Sequence, residues 1–322
     1  MHSGKLRAAV LALAALAPGA AAAQDFPTRP LRIIVPFAPA GVADILGRVL
    51  APPLSRALGQ GVIVENRPGA NTVIGAELVA RAPADGHAFL IMAPSFTINA
   101  AARSKLPYDS LKDFSGITRL ASTAMVISVH PSLPARTLKE LIALARARPG
   151  ELTFATASIL GGQRLAAEQF ADAAGIKLTN VPYNGGGPAA TAAVGGHTSM
   201  LVVNVAEVAA QIEAGKLRAL AVTTLVRSEV LKDVPTVAES GFPGFEATNW
   251  FGAVARSATP RSAIDRLNAE IGRALQLQEV KDVLGRQGLS PAATTPAGFD
   301  AIIRREVEVN GRIIRRLNLK VE

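Results

Sequence analysis

The sequence predicts an α/β fold of two lobes closed by a helical segment. Short β-rich runs alternate with apolar residues at helical spacing through most of the chain. Loops of small residues repeatedly join the end of a strand to the start of a helix, and beyond Pro260 only helical periodicity remains. A chain of 322 residues is about twice the usual domain length of roughly 100–200, which fits two lobes.

In chain order, Leu31 to Phe37 reads as a strand stopped by proline, and Val42, Ile45, Leu46, Val49, Leu50 and Leu54 follow at helical spacing. Pro52-Pro53 falls inside that helix pattern, where proline removes amide donors and is expected to kink the helix. Val62 to Glu65 is the next strand; the turn Asn66-Arg67-Pro68-Gly69, a helix through Ile74 to Ala80 and the strand Ala88 to Met92 come after it. Met125 to Val129 is a strand, and Thr137-Leu138-Lys139-Glu140 is a capping box opening a helix that stops at Pro149-Gly150.

Leu152 to Ala155, Leu178 to Tyr183, Ser199 to Val203 and Leu217 to Thr223 are further strands, with a helix over Pro188 to Val194. A Pro- and Gly-rich stretch, Val234 to Phe245, precedes a strand at Trp250 to Ala255. This pattern divides the chain into a first lobe, residues 24–124 plus 248–322, and a second lobe, residues 125–247. In the last helix, Phe299, Ile302, Ile303, Ile313, Ile314 and Leu317 form the apolar stripe, and Arg304, Arg305, Arg312, Arg315 and Arg316 form a solvated face.

Composition narrows the function. Hydrophobic residues make up 49% and charged residues 18%, so the chain is neither a disordered tail nor a coiled coil. With no cysteine, disulfide scaffolds, thiolate metal sites and cysteine nucleophiles are excluded. Lys5 and Arg7, the apolar run Ala8 to Ala17 and the small residues Ala21-Ala22-Ala23 before Gln24 have the order of a secretory signal peptide, residues 1–23. The expected destination is outside the cytoplasm. Net charge is +9, but basic residues are scattered singly among acids outside the last helix, so no nucleic-acid partner is expected.

No motif of catalysis stands out: GxSxG, SxxK, HExxH and GxxxxGK(S/T) are all missing, and His87, His130 and His197 each sit beside a turn residue. Neither an enzyme nor a cofactor is expected. Three loops point instead to anion binding. They are Phe37-Ala38-Pro39-Ala40-Gly41-Val42, Ala157-Ser158-Ile159-Leu160-Gly161-Gly162 and Tyr183-Asn184-Gly185-Gly186-Gly187-Pro188. Each runs from a strand into a helix, where unpaired backbone N–H groups bind carboxylate or phosphate without a side-chain cation.

The third loop also fits GxGxxA, but it has no supporting first-unit position and short glycine patterns occur often by chance, so a dinucleotide site is not expected. Ser95, Thr97 and Asn204 lie just past strand ends on the same edge. Asp44, in the first turn of its helix, either interacts with the helix N-terminus or holds a bridging water or a ligand amine. Trp250 and Phe251 are expected in the core.

Several segments carry a family likeness: Phe26-Pro27-Thr28-Arg29-Pro30, Ile33-Ile34-Val35-Pro36-Phe37, Val64-Glu65-Asn66-Arg67-Pro68-Gly69-Ala70 and Leu106-Pro107-Tyr108-Asp109. So do Lys112-Asp113-Phe114, Val181-Pro182-Tyr183, the run Ala214 to Thr223, Asp233 to Glu239 and Trp250-Phe251-Gly252. Together they resemble the Bug family, the periplasmic solute-binding proteins of tripartite tricarboxylate transporters. The likeness covers essentially the whole mature chain. It implies a two-lobed periplasmic-binding-protein fold of the second type, each lobe a mostly parallel sheet flanked by helices, with a ligand cleft between the lobes.

It also implies a small carboxylate ligand, membrane transporter subunits as partners, a monomer and no catalysis. Carried over residue by residue, the first-lobe grip falls on Phe37, Ala40, Gly41, Asp44, Ser95 and Thr97, and the second-lobe grip on Ser158, Tyr183, Asn184, Gly185 and Asn204. Where the family commonly has polar groups, this chain has Ile159, Leu160 and Val203, and Glu207 stands where a small residue is common. These departures imply a less polar pocket suited to a monocarboxylate. A sensor subunit presenting the closed form to a signalling receptor is the alternative, and a secreted hydrolase or transferase fits less well.

Overall fold

A computed structural model describes residues 26–103 and 105–319. The signal-peptide segment, residues 1–23, lies outside the described residues. Three parallel strands open the chain: β1 (Leu31–Val35), β2 (Val62–Asn66) and β3 (Ala88–Met92), ordered β2-β1-β3. Helix α1 (Val42–Leu58) connects β1 to β2, and α2 (Val73–Ala80) follows β2. Beyond β3 come α3 (Pro94–Ala102) and a 16-residue strand, β4 (Phe114–Val129).

That long strand joins the two halves. Phe114 to Ala124 pair antiparallel with β9 (Thr248–Arg256), and Met125 to Val129 pair antiparallel with β7 (Met200–Asn204) and β8 (Arg218–Val222). Only the second stretch reads as a strand in the sequence; the first is interrupted by Gly116 and two register shifts against β9, which blur its alternation. The second half continues with α4 (Leu138–Ala147), β5 (Thr153–Thr156), α5 (Gly162–Ala174), β6 (Thr179–Pro182), α6 (Gly186–Val194) and the short α7 (Ala209–Glu213). The sheet is therefore mixed: parallel at its outer strands and antiparallel at its centre, where β9 lies between β3 and β4.

Each half buries apolar side chains on both faces of its strands, which is why its strands are near-continuous Val, Ile, Leu and Phe runs. In the first half, Leu46, Leu50 and Leu54 of α1 meet Ile264 and Leu267 of α8 (Arg261–Gln276) and Leu284 of α9 (Gln278–Arg286) on one face. On the other face, Phe96 of α3 packs with Trp250, Phe299 and Ile303. In the second half, Leu138 and Leu141 of α4 meet Phe170 of α5, and Ala189, Ala190 and Ala193 of α6 cover the opposite face.

The expectation of helices alone after Pro260 is corrected by β10 (Leu289–Pro291), which pairs antiparallel with β4. The last helix, α10 (Pro296–Arg316), buries Phe299, Ile303 and Ile314 and exposes all five arginines, as its stripe predicts. Its end reaches the second half, where Ile314 packs with Leu160 and Leu165, and Arg316 pairs with Asp172 at 3.4 Å. Helix α1 runs without interruption through exposed Pro52 and buried Pro53 and stops at Gly59, whose φ of 65° suits glycine. Nothing in the structure explains the two prolines. Among the described residues no helix is long and apolar enough to cross a membrane.

Candidate functional site

Ligand sites in open α/β sheets form where strands end and the connecting loops diverge. Here the loops leaving β1, β3, β5, β6 and β7 meet across one cavity between the halves, with Asn249 and Phe251 of β9 on its wall. The first half contributes Phe37, Gly41 and Val42, along with Ala93, Pro94 and Ser95; the second contributes Ser158, Gly161 to Gln163, Gly185 to Pro188, Asn204 and Glu207. A neighbouring hollow shares Phe37, Ala38, Ala157 and Ser158 and adds Tyr183, Asn184 and Ile159.

Four helices begin at the cavity. Their N-cap residues are Gly41 for α1, Ala93 for α3, Gly161 for α5 and Gly185 for α6, and none makes a side-chain capping bond. Away from the cavity, Thr137 caps α4 through the Glu140 amide and Thr295 caps α10 through the Gly298 amide. The cavity-facing starts thus keep first-turn N–H groups that need an acceptor, and the aligned peptide dipoles give each a partial positive charge. Among the described residues no Lys, Arg or His lines the cavity, and no cluster fit to hold a metal exists.

The structure brings Phe37, Gly41, Ser95, Ser158, Gly185 and Asn204 together on the cavity wall, and puts Tyr183 and Asn184 in the adjoining hollow. The Ser95 hydroxyl is buried with no hydrogen-bond partner among the described residues, so it is available to a ligand. Three carried-over positions do not line either space.

Asp44 is 3% exposed, and its carboxylate accepts hydrogen bonds from the Ala40 amide at 3.0 Å, Arg48 Nε at 2.9 Å and Asn66 Nδ2 at 3.0 Å. Burial opposes its ionisation, but Arg48, the Ala40 amide and Asn66 outweigh that and hold its carboxyl below the ordinary range. Asp44 therefore fixes the β1–α1 loop. Ala40 sits at φ 68° with its amide already used by Asp44. Thr97 is fully buried; its hydroxyl donates to the Pro94 carbonyl at 2.9 Å and accepts from Asn310 at 3.2 Å.

Two of the expected apolar departures are also elsewhere. Leu160 packs against Ile98, Leu165 and Ile314, and Val203 is buried in the second core, so only Ile159 faces a ligand space. Apolar lining comes instead from Phe37, Pro94, Pro188 and Phe251. Trp250 is in the core, edge-on to Phe299, as expected; Phe251 is buried in the core and also reaches the cavity.

Sequence reasoning missed Gln163 and Asn249 as cavity residues and left Glu207 without a role. These three build a polar chain across the cavity. Asn249 Nδ2 donates to Asn204 Oδ1 at 2.7 Å, and Asn204 donates to Glu207 Oε2 from its amide at 3.0 Å and from Nδ2 at 3.1 Å. Gln163 Nε2 donates to the same Glu207 oxygen at 3.1 Å, while its Oε1 accepts the Ala157 amide at 2.8 Å. A signal for Glu207 was present: Asn204-Val205-Ala206-Glu207 has capping-box spacing, and both reciprocal bonds form. Gln163 and Asn249 carry no comparable local signature.

The model of the tripartite tricarboxylate transporter family receptor matches residues 46–319. The chain belongs to this family. Its members are periplasmic solute-binding proteins with a two-lobed fold, not enzymes, and the Bug resemblance is confirmed. BugT of Bordetella pertussis is 35% identical over 302 residues, covering 93% of each chain. An R. palustris protein solved with adipate superposes at a TM-score of 0.88 and 31% identity, over 92% of this chain and 99% of that one. MatC of Rhodopseudomonas palustris, with bound malate, superposes at 0.84 and 27% identity, over 90% and 100%.

Proposed function

We propose that this receptor works in the periplasm after losing residues 1–23, encloses a small carboxylate between lobe 1 (24–124 plus 248–322) and lobe 2 (125–247), and delivers it to membrane subunits of a tripartite transporter. The single observation that carries the carboxylate reading is the convergence of four helix starts, none with a side-chain cap, on one cavity with no basic side chain among the described residues. Oriented N–H groups already in place solvate an anion without reorganisation, and closure around it strengthens each bond by excluding water. The ligands named for two similar structures, adipate and malate, are both carboxylates. The wall formed by Phe37, Pro94, Pro188 and Phe251 favours an acid with an apolar body.

The test is thermal unfolding of the refolded chain from Gln24 against a panel of mono-, di- and tricarboxylates. A ligand at 100 times its dissociation constant adds about 2.7 kcal/mol. At roughly 2–4 °C per kcal/mol that is a shift of about 5 °C or more. Gly41→Trp should abolish it: Gly41 has φ −83°, and only Ala38 O and Glu207 Oε1, at 3.8 and 3.9 Å, lie near an added Cβ, so the indole enters the cavity without backbone strain. Arg312→Ala, on the exposed face of α10, should leave the shift intact. A normal shift in the tryptophan variant would mean the ligand binds elsewhere.

A further inference from the structure

Among the described residues Glu207 is the only ionisable side chain on the cavity wall, and no cation accompanies it there. Its carboxylate lies between the starts of α1 and α6. Oε1 is 3.9 Å from the position a Gly41 Cβ would take, a Cβ on Gly186 would overlap the carboxylate itself, and the Val42 amide favours its ionised form. Oε2 accepts the bonds from Asn204 and Gln163. Two of the four helix starts are thus already faced by an anion that belongs to the protein. The starts of α3 and α5 are not. They adjoin one another, with the Cβ of Ser95 3.9 Å from the Gly161 Cβ position and Pro94 3.3 Å from that of Gly162, and they flank the unpartnered Ser95 hydroxyl.

We propose that Glu207 is a specificity-determining residue that polarises the cavity, so that the ligand places its one carboxylate at the α3 and α5 starts and an ammonium group toward Glu207. The proposal rests on the carboxylate-binding function argued above and names the ligand class within it: a zwitterionic monocarboxylate rather than a dicarboxylate. A second ligand carboxylate would meet Glu207 in a space with no compensating cation, where like charges repel strongly. An ammonium meets an acceptor already oriented by Asn204 and Gln163. Enclosure raises the Glu207 pKa to about 7 despite the donors from Asn204, Gln163 and Val42, and a cationic partner lowers that cost.

The test is calorimetric titration with length-matched pairs, 4-aminobutyrate against succinate and 6-aminohexanoate against adipate, at pH 8, above the raised Glu207 pKa of about 7. The native receptor should bind the amino acid of a pair at least tenfold more tightly, which is about 1.4 kcal/mol. E207Q keeps the shape and removes the charge; it should weaken the amino acid and strengthen the diacid, each by tenfold or more. If E207Q does not fold, E207S removes the same charge by truncation. Equal affinities in the native receptor, or a ratio unchanged in the variant, would overturn the role of Glu207 and leave the carboxylate function standing. Failure of all four acids, and of the wider panel, to bind either form would overturn both.

Discussion

At the scale of single residues, two carboxylates at the start of the same helix have opposite fates, and their donors explain why. Asp44 is held ionised by Arg48, Asn66 and the Ala40 amide, so it acts as a fixed strut for the β1–α1 loop. Glu207 has amide and carboxamide donors but, among the described residues, no cation, so enclosure prevails and lifts its pKa to about 7 from an ordinary value of 4.5. The folded state therefore holds a proton on Glu207 at pH values where the unfolded chain has lost it. Stability from this group is fully present below about pH 4.5 and is lost as pH rises through 7. The native chain should thus lose denaturant midpoint relative to E207Q between pH 5 and 8, a comparison in which the other titrations cancel; a pH-independent difference would contradict the shift. Such long-range effects explain what was legible. Gly41, Ser95 and Asn204 line the cavity because strand ends and small residues are local features, whereas Ala40, Asp44 and Thr97 do not line it because their partners, Asn66 and Asn310 among them, are set by tertiary packing.

At the scale of elements, two helices that start away from the cavity are closed by a threonine side chain. Thr137 and Thr295 satisfy the starts of α4 and α10 internally, while α1, α3, α5 and α6 start on glycine or alanine at the cavity. Thr137→Ala should cost about 1 kcal/mol of stability, the usual value of such a cap. It should leave ligand affinity unchanged, since α4 contributes nothing to the cavity wall; a loss of affinity by titration would show that capping and binding are coupled here. Helices α3 and α7 went unread in the sequence, whereas most strands and other helices were visible as runs of period 2 or 3.6. The first stretch of β4 and all of β10 were not, because Gly116, the register shifts and Pro291 break the alternation on which such a reading depends. Pairing with β9 and β4 forms those strands where local pattern does not.

At the scale of the whole molecule, β4 and β9 carry the chain between lobes, and the cavity lies where the loops of both lobes face each other. Direct bridges link them: Asn249 to Asn204 at 2.7 Å and Asn71 Nδ2 to the Leu160 carbonyl at 2.8 Å. The alternation of strands and helices predicts this arrangement, but which loop groups face the cavity depends on how the two lobes meet. The central claim is that backbone amides at converging helix starts hold the ligand carboxylate. It is tested most directly by titrating the 15N-labelled receptor with the acid that gives the largest thermal shift and following each amide by NMR. The largest changes should fall on Ser95, Gly162 and Gln163, with smaller ones at Val42 and Gly186. Saturable binding that leaves those amides unmoved, with shifts confined to distant residues, would contradict the claim.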